Sequence, residues 1–153
     1  MTTTTRTSRQ LEIVDKFSKV SGVGTLIAAT GFGKTYTSIL ILKRMFNRYP
    51  ENSVIIIVPT INLKNQWNAE LKKHNIQKNC EAIVINTAYK NNYECDMLIL
   101  DELHCYGADQ FQRVFHKIEY TYLLGLTATI ERADGRHDLL LENAPIFEEV
   151  TIE

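Results

Sequence analysis

The chain reads as an α/β domain, a central and mainly parallel sheet with helices on both faces. Short apolar runs alternate with segments whose apolar residues recur every three or four positions. Val54-Ile-Ile-Ile-Val58 has no polar position at all, as a strand covered on both faces requires. The 153 residues, 44% hydrophobic and 23% charged, suit one core of ordinary globular composition.

The elements follow in order. The Thr-rich start, residues 1–8, is expected to fray, leaving one domain over residues 9–153. Leu11, Val14 and Phe17 predict a short helix from Gln10 to Phe17. Val23–Ala28 suits a buried strand that breaks at Thr30-Gly31-Phe32-Gly33. A helix from Lys34 to about Tyr49 is expected to bury Ile39, Leu42, Met45, Phe46 and Tyr49. After the Val54–Val58 strand and Pro59, Leu63, Trp67 and Leu71 mark another helix, with Trp67 on its core side. Ala82–Ile85 and Met97–Leu100 are further strands. Phe111, Val114, Phe115 and Ile118 predict a helix, and Tyr122–Leu126 a last strand. Beyond Gly135 one short helix and an extended stretch are expected.

Net charge is −1, so no global field draws the chain to nucleic acid or to an anionic surface. Any such contact must be local. Cys80, Cys95 and Cys105 form no CxxC pair and their number is odd, which predicts free thiols in a reducing intracellular compartment. The four histidines lack zinc-ligand spacing. No signal peptide and no run long enough for a bilayer are found, so a soluble, cytoplasmic protein without membrane partners is expected.

Parallel sheets place ligands at the carboxyl ends of their strands. Ala28-Ala29-Thr30-Gly31-Phe32-Gly33-Lys34-Thr35 lies there, between a strand and a helix, as a phosphate-binding loop must. Its glycines let backbone N–H groups turn toward phosphate oxygens, and the helix N-terminus favours the same anion. Lys34 would meet the β- and γ-phosphates of ATP, and the Thr35 hydroxyl would ligate Mg²⁺. The usual first glycine of this motif is Ala28 here. Asp101-Glu102-Leu103-His104 follows the Met97–Leu100 strand. Asp101 is placed to serve the same Mg²⁺ as an outer ligand, and Glu102 to orient and deprotonate a water. A solvated acidic pair is the plainer reading of Asp-Glu alone. Downstream of a phosphate loop in one sheet, the catalytic reading is the stronger.

Gly31-x-Gly33-Lys34-Thr35, Asp101-Glu102-Leu103-His104 and Thr127-Ala128-Thr129 resemble, in order, motifs I, II and III of DExH-box superfamily 2 helicases. Pro59-Thr60-x-x-Leu63-x-x-Gln66-Trp67 is similar to motif Ia, and Gly125–Thr129 with the following Glu131-Arg132 resembles the XPB-like and phage branch. A phage source would place the protein in the host cytoplasm. The resemblance covers nearly the whole chain and implies the first RecA-like lobe of an ATP-dependent helicase or translocase. It implies that Gln10 reads adenine, although an exposed glutamine at a helix start is an equally simple account. It also implies that His104, Thr127 and Thr129 couple the nucleotide to nucleic acid, DNA or RNA with DNA favoured, touched by Thr60, Asn62 and Thr87. Nothing like Q-x-x-G-R-x-x-R, the arginine motif of the second lobe, occurs in the sequence. A second lobe supplied in cis or in trans is therefore expected, with weak activity without it. A GTPase or small-molecule kinase is disfavoured by the lack of N-K-x-D. A non-catalytic module that binds nucleic acid or regulates another motor is the remaining alternative.

Overall fold

The computed structural model describes residues 3–29, 32–88, 90–102, 105–128 and 142–150. Six parallel strands form one sheet, in the order β3-β2-β5-β7-β1-β8. They are β1 (Val23–Ala28), β2 (Val54–Val58), β3 (Cys80–Val84), β5 (Met97–Leu100), β7 (Tyr122–Thr127) and β8 (Ile146–Val150). The helices are α1 (Thr3–Lys19), α2 (Lys34–Arg48), α3 (Ile61–Lys73), α4 (Ile85–Ala88) and α5 (Ala108–Lys117). The predicted α/β architecture, a parallel sheet between helices, is what the structure shows.

The strand sequences explain the layering. Successive side chains on a strand point to opposite faces. In β2, Val54, Ile56 and Val58 join one apolar cluster, while Ile55 and Ile57 join the other. The first cluster takes Ile13 and Phe17 of α1, Ile39 and Leu42 of α2, and Trp67 and Leu71 of α3. The second takes Ile85 and Ala88 of α4 with Phe111 and Val114 of α5. Both faces are thus covered, which is why β2 and β5 are buried at every position.

Several boundaries differ from the periodicity. α1 begins at Thr3 rather than Gln10 and so reaches into the segment expected to fray. Its first turns carry Thr and Arg in place of apolar residues, which leaves nothing for a periodic signal, yet no Gly or Pro breaks them. β3 ends at Val84, one residue before the expected end, because Ile85 turns into α4 and buries itself in the second cluster. Ile118, expected on a helix, instead pairs with Tyr93 in a two-stranded parallel sheet of β4 (Tyr93–Glu94) and β6 (Ile118–Glu119). Strands this short show no alternation to read.

The expected extended tail is β8, and it is fastened to β1. The Thr25 hydroxyl donates to the Ala144 carbonyl at 2.7 Å, the Thr25 N–H to Pro145 at 2.9 Å, and the Ala29 N–H to Val150 at 3.1 Å. Phe147 packs on Phe17 with ring centroids 5.4 Å apart. Among the described residues no helix is long and apolar enough to cross a membrane.

The cysteines are all free. Burial pushes the half-buried Cys80 and the buried Cys95 thiols up to about 12, so both stay protonated at neutral pH, and desolvation with the charges of Glu102 and Asp101 raises Cys105 as well. Cys105 is the exposed thiol. Titration of the native chain with an aromatic disulfide reagent should therefore release one fast equivalent, from Cys105, and the other two only after denaturation. Two or three fast equivalents would contradict the packing.

Candidate active site

All six strands of the sheet run parallel, so their carboxyl ends share one rim. β1 ends there at Ala28 and β5 at Leu100, with β7 lying between them and ending at Thr127. Ile27 pairs with Thr127, and Leu100 with Gly125. The topology therefore brings the segment after Ala28, the acidic pair after Leu100 and Thr127 to one place.

The segment after β1 leads into α2 through a tight turn. The Phe32 N–H donates to the Ala29 carbonyl at 3.1 Å, and Phe32 is fully buried. Thr30 and Gly31 lie outside the described residues. Gly33 is the N-cap of α2 with φ 92° and ψ 51°, a left-handed conformation that favours glycine. No side chain caps this helix end, which leaves its first N–H groups to an incoming anion. The Thr37 N–H and hydroxyl return to the Gly33 carbonyl at 2.9 and 2.8 Å, which closes the first turn. Lys34 and Thr35 are half-buried at that end.

Gln10 departs from one of the two readings offered for it. It lies within α1, is 3% exposed, and donates from its amide Nε2 to the Phe32 carbonyl at 2.9 Å. An exposed helix-start glutamine is excluded. A Cβ at Gly33 would sit 2.8 Å from that same Nε2, so Gln10 and the turn are mutually fitted. The available signal was spacing: Gln10 precedes Ile13, Val14 and Phe17 by three, four and seven residues and so shares their buried face.

Asp101 is 4% exposed, and both carboxylate oxygens accept hydrogen bonds. Oδ2 takes the indole N–H of Trp67 at 2.8 Å, and Oδ1 the backbone N–H of Glu102 at 2.9 Å. Burial raises the Asp101 pKa above its ordinary value. The Trp67 bond opposes that, the charge of Glu102 adds to it, and the Glu102 N–H and the Lys34 ammonium pull it back down. Glu102 has φ 58°, the left-handed region that is strained for a non-glycine residue.

Gly33, Thr35, Gln66, Trp67 and Asp101 line one cleft of about 450 Å³ between α2 and α3. The cleft brings Gly33 and Thr35 together with Asp101, while Lys34 and Glu102 are not among the residues that line it. Thr127 is fully buried at the end of β7, while His104 and Thr129 lie outside the described residues. Thr60, Asn62 and Thr87 are exposed, on the same carboxyl rim beyond β2 and β3. Thr60 has a local task as well, because its hydroxyl oxygen caps α3 by accepting the Leu63 N–H at 3.2 Å. Trp67 was expected as core alone. It is core at 1% exposed, but its link to the acid was missed. The one available signal was that a buried indole N–H demands an acceptor.

A family model described as Type III restriction enzyme, res subunit, matches residues 5–94 and 75–132. The DNA 3'-5' translocase XPB2 of Sulfurisphaera tokodaii is 30% identical, over 76% of this chain and 29% of that protein. QP509L of African swine fever virus (isolate Pig/Kenya/KEN-50/1950), whose name proposes an ATP-dependent RNA helicase, is 32% identical over 88% of this chain and 31% of its own. The chain thus spans under a third of these relatives' length. Among solved structures, the Hef helicase domain of Pyrococcus furiosus superposes with a TM-score of 0.71 at 16% identity, covering 94% of this chain and 37% of that one.

Two outcomes follow from the geometry. Gly33→Ala forces a Cβ into a left-handed residue against Gln10, and should lower the unfolding free energy by about 1–2 kcal/mol in denaturant titration; an unchanged midpoint would mean that the turn relaxes freely. For Asp101, burial raises the folded-state pKa above 3.8, so folding favours the protonated carboxyl. That contribution is fully present below 3.8 and is lost as the pH rises through the folded-state value. In chelator-containing buffer, the melting temperature of Asp101→Asn should therefore climb relative to the parent chain between acid and neutral pH. A constant difference would show that Asp101 titrates normally.

Proposed function

Because the chain belongs to the family of the Type III restriction enzyme res subunit, as a first RecA-like domain of a superfamily 2 helicase, we propose that it is the ATP-binding lobe of a helicase or translocase that moves along nucleic acid. The observation that carries the reading is the shared cleft. An uncapped helix start and a buried carboxylate open on it together, beside the left-handed Gly33.

The residues fit ATP and a magnesium ion. A cation held through phosphate oxygens needs few protein ligands, and among the described residues no cluster of three His, Cys, Asp or Glu is found. Thr35 and Asp101 are the residues that would hold the ion, which would neutralise charge on the β- and γ-phosphates. The N–H groups at the start of α2 bind the phosphates, and Lys34 supplies the counter-charge. The sequence motif Thr30-Gly31-Phe32-Gly33 would enclose the phosphates, with Phe32 and Gly33 its described members. Gln10, anchored to that loop by one amide hydrogen, offers its remaining groups to the adenine edge. Glu102 orients a water for attack on the γ-phosphorus and accepts its proton as the bond to the β-phosphate oxygen breaks. Its strained backbone fits a side chain aimed for chemistry.

Thr60, Asn62 and Thr87, exposed on the same rim, are the contacts for the nucleic-acid backbone. Such contacts use N–H and hydroxyl groups and need no net positive charge. DNA is the preferred strand, in line with the translocase relative. His104, Thr127 and Thr129 couple that surface to the nucleotide. A second RecA-like lobe, in cis or in trans, supplies the arginines that complete the site. Three free thiols suit a reducing intracellular setting.

Titration of the chain with a fluorescent ATP analogue tests the reading. Binding should favour ATP over GTP and weaken at least about tenfold in Lys34→Ala, since the lysine makes a charge-assisted bond to phosphate. Hydrolysis should stay very slow, because an arginine finger contributes about 10³–10⁵ in rate. Vigorous DNA-stimulated hydrolysis by the monomeric chain would refute the need for a second lobe. Full retention of function by Lys34→Ala would instead favour a non-catalytic docking module.

A further inference from the structure

We infer that Trp67 is a positioning residue for the phosphate site, holding the Asp101 carboxylate in the orientation from which it serves a nucleotide-bound magnesium ion. This deepens the ATP-lobe reading and rests on it.

The pairing of Trp67 with Asp101 admits two directions of dependence. In one, the carboxylate is present to satisfy a buried indole. In the other, the indole is present to hold the carboxylate. The energetics decide between them. A buried indole N–H needs an acceptor, but a backbone carbonyl satisfies it at no electrostatic cost. Taking a carboxylate out of water costs far more than one such bond returns. The cost applies at Asp101, which is only 4% exposed. A buried carboxylate would be a poor choice of acceptor if the indole were all that mattered. Trp67 therefore serves Asp101.

The geometry shows what is served. Trp67 takes Oδ2 from the α3 side, and the Glu102 N–H takes Oδ1 from the carboxylate's own chain. Two donors on two oxygens fix the plane of the group and remove its free rotation. The cleft that both Trp67 and Asp101 line also carries Gly33 and Thr35. The carboxylate is thus held rigidly beside the residues that would meet phosphate and metal. Trp67 is packed in the core with Leu71 and Leu63, so the donor cannot swing away. A site held within a fraction of an ångström by packed neighbours is what metal and phosphate binding needs. The indole touches neither metal nor nucleotide in this role and acts only through Asp101.

The experiment uses the full chain and its single tryptophan. Trp67→Phe removes the N–H while keeping an apolar ring. Replacement of tryptophan by β-(3-benzothienyl)alanine, which reaches only position 67, keeps the bicyclic shape and exchanges the N–H for sulfur. Binding of a fluorescent N-methylanthraniloyl-ATP is measured with magnesium and, separately, in EDTA, after thermal melts establish folding. In EDTA the benzothienyl chain should bind as the parent does. With magnesium, the concentration of the ion needed for half-maximal binding should rise about tenfold or more, the worth of a hydrogen bond to an ionised group. Trp67→Phe should follow it. If the folded benzothienyl chain shows the parent's magnesium dependence, the inference is wrong while the ATP-lobe reading stands. If the parent chain itself shows no magnesium-dependent binding, the reading fails and the inference falls with it.

Discussion

A carboxylate removed from water at the end of a buried strand is the constraint around which the rim is organised. Asp101 cannot remain there as an anion without donors, and the fold supplies two: an indole carried by α3 and the next peptide N–H. The indole fixes the spacing of α3 relative to β5. The packing of α3 over the first apolar cluster and the electrostatics of the cleft are in this sense one problem. Removing the carboxylate would relieve the core and empty the site of its anchor.

The parallel sheet makes that arrangement possible. With all six strands running one way, each strand hands its next residue to the same edge, and the order β3-β2-β5-β7-β1-β8 seats β7 between the two strands that matter most. Both faces are filled largely by apolar side chains, so polar groups of the sheet gather at its ends, and the carboxyl edge is one of them. Gly33, Lys34, Thr35, Asp101 and Thr127 are all there. So are the more peripheral Thr60 and Thr87, which follow β2 and β3.

Much of this was legible beforehand, and the reasons are local. β2 and β5 are uninterrupted apolar runs, and a strand buried on both faces admits little else. The loop before α2 and the acid after β5 are polar breaks directly at strand ends, where period and composition change together. What escaped notice depended on partners distant in the sequence. Trp67 looked like core because its spacing from Leu63 and Leu71 reports only which side of α3 it occupies, not that its N–H meets a residue 34 positions away. The alternative of an exposed Gln10 arose because the Thr-rich segment hides the true start of α1 and made position 10 look like a helix end. The β4–β6 pair is made of two residues on each side, below the length at which alternation has meaning. Ile118 was drawn to a helix by its spacing from Val114 and Phe115.

The bond from Gln10 to the Phe32 carbonyl bears on how portable the loop is. Residues 28–35 look like a self-contained cassette that could be grafted onto any strand-and-helix pair. Yet one of its carbonyls is buried against a side chain from a helix 22 positions earlier, and its glycine leaves room only for that side chain. Transplanted without α1, the cassette would carry an orphaned acceptor and an unfilled hollow. The recognisable motif is therefore only half of the working part, and the other half bears no motif at all.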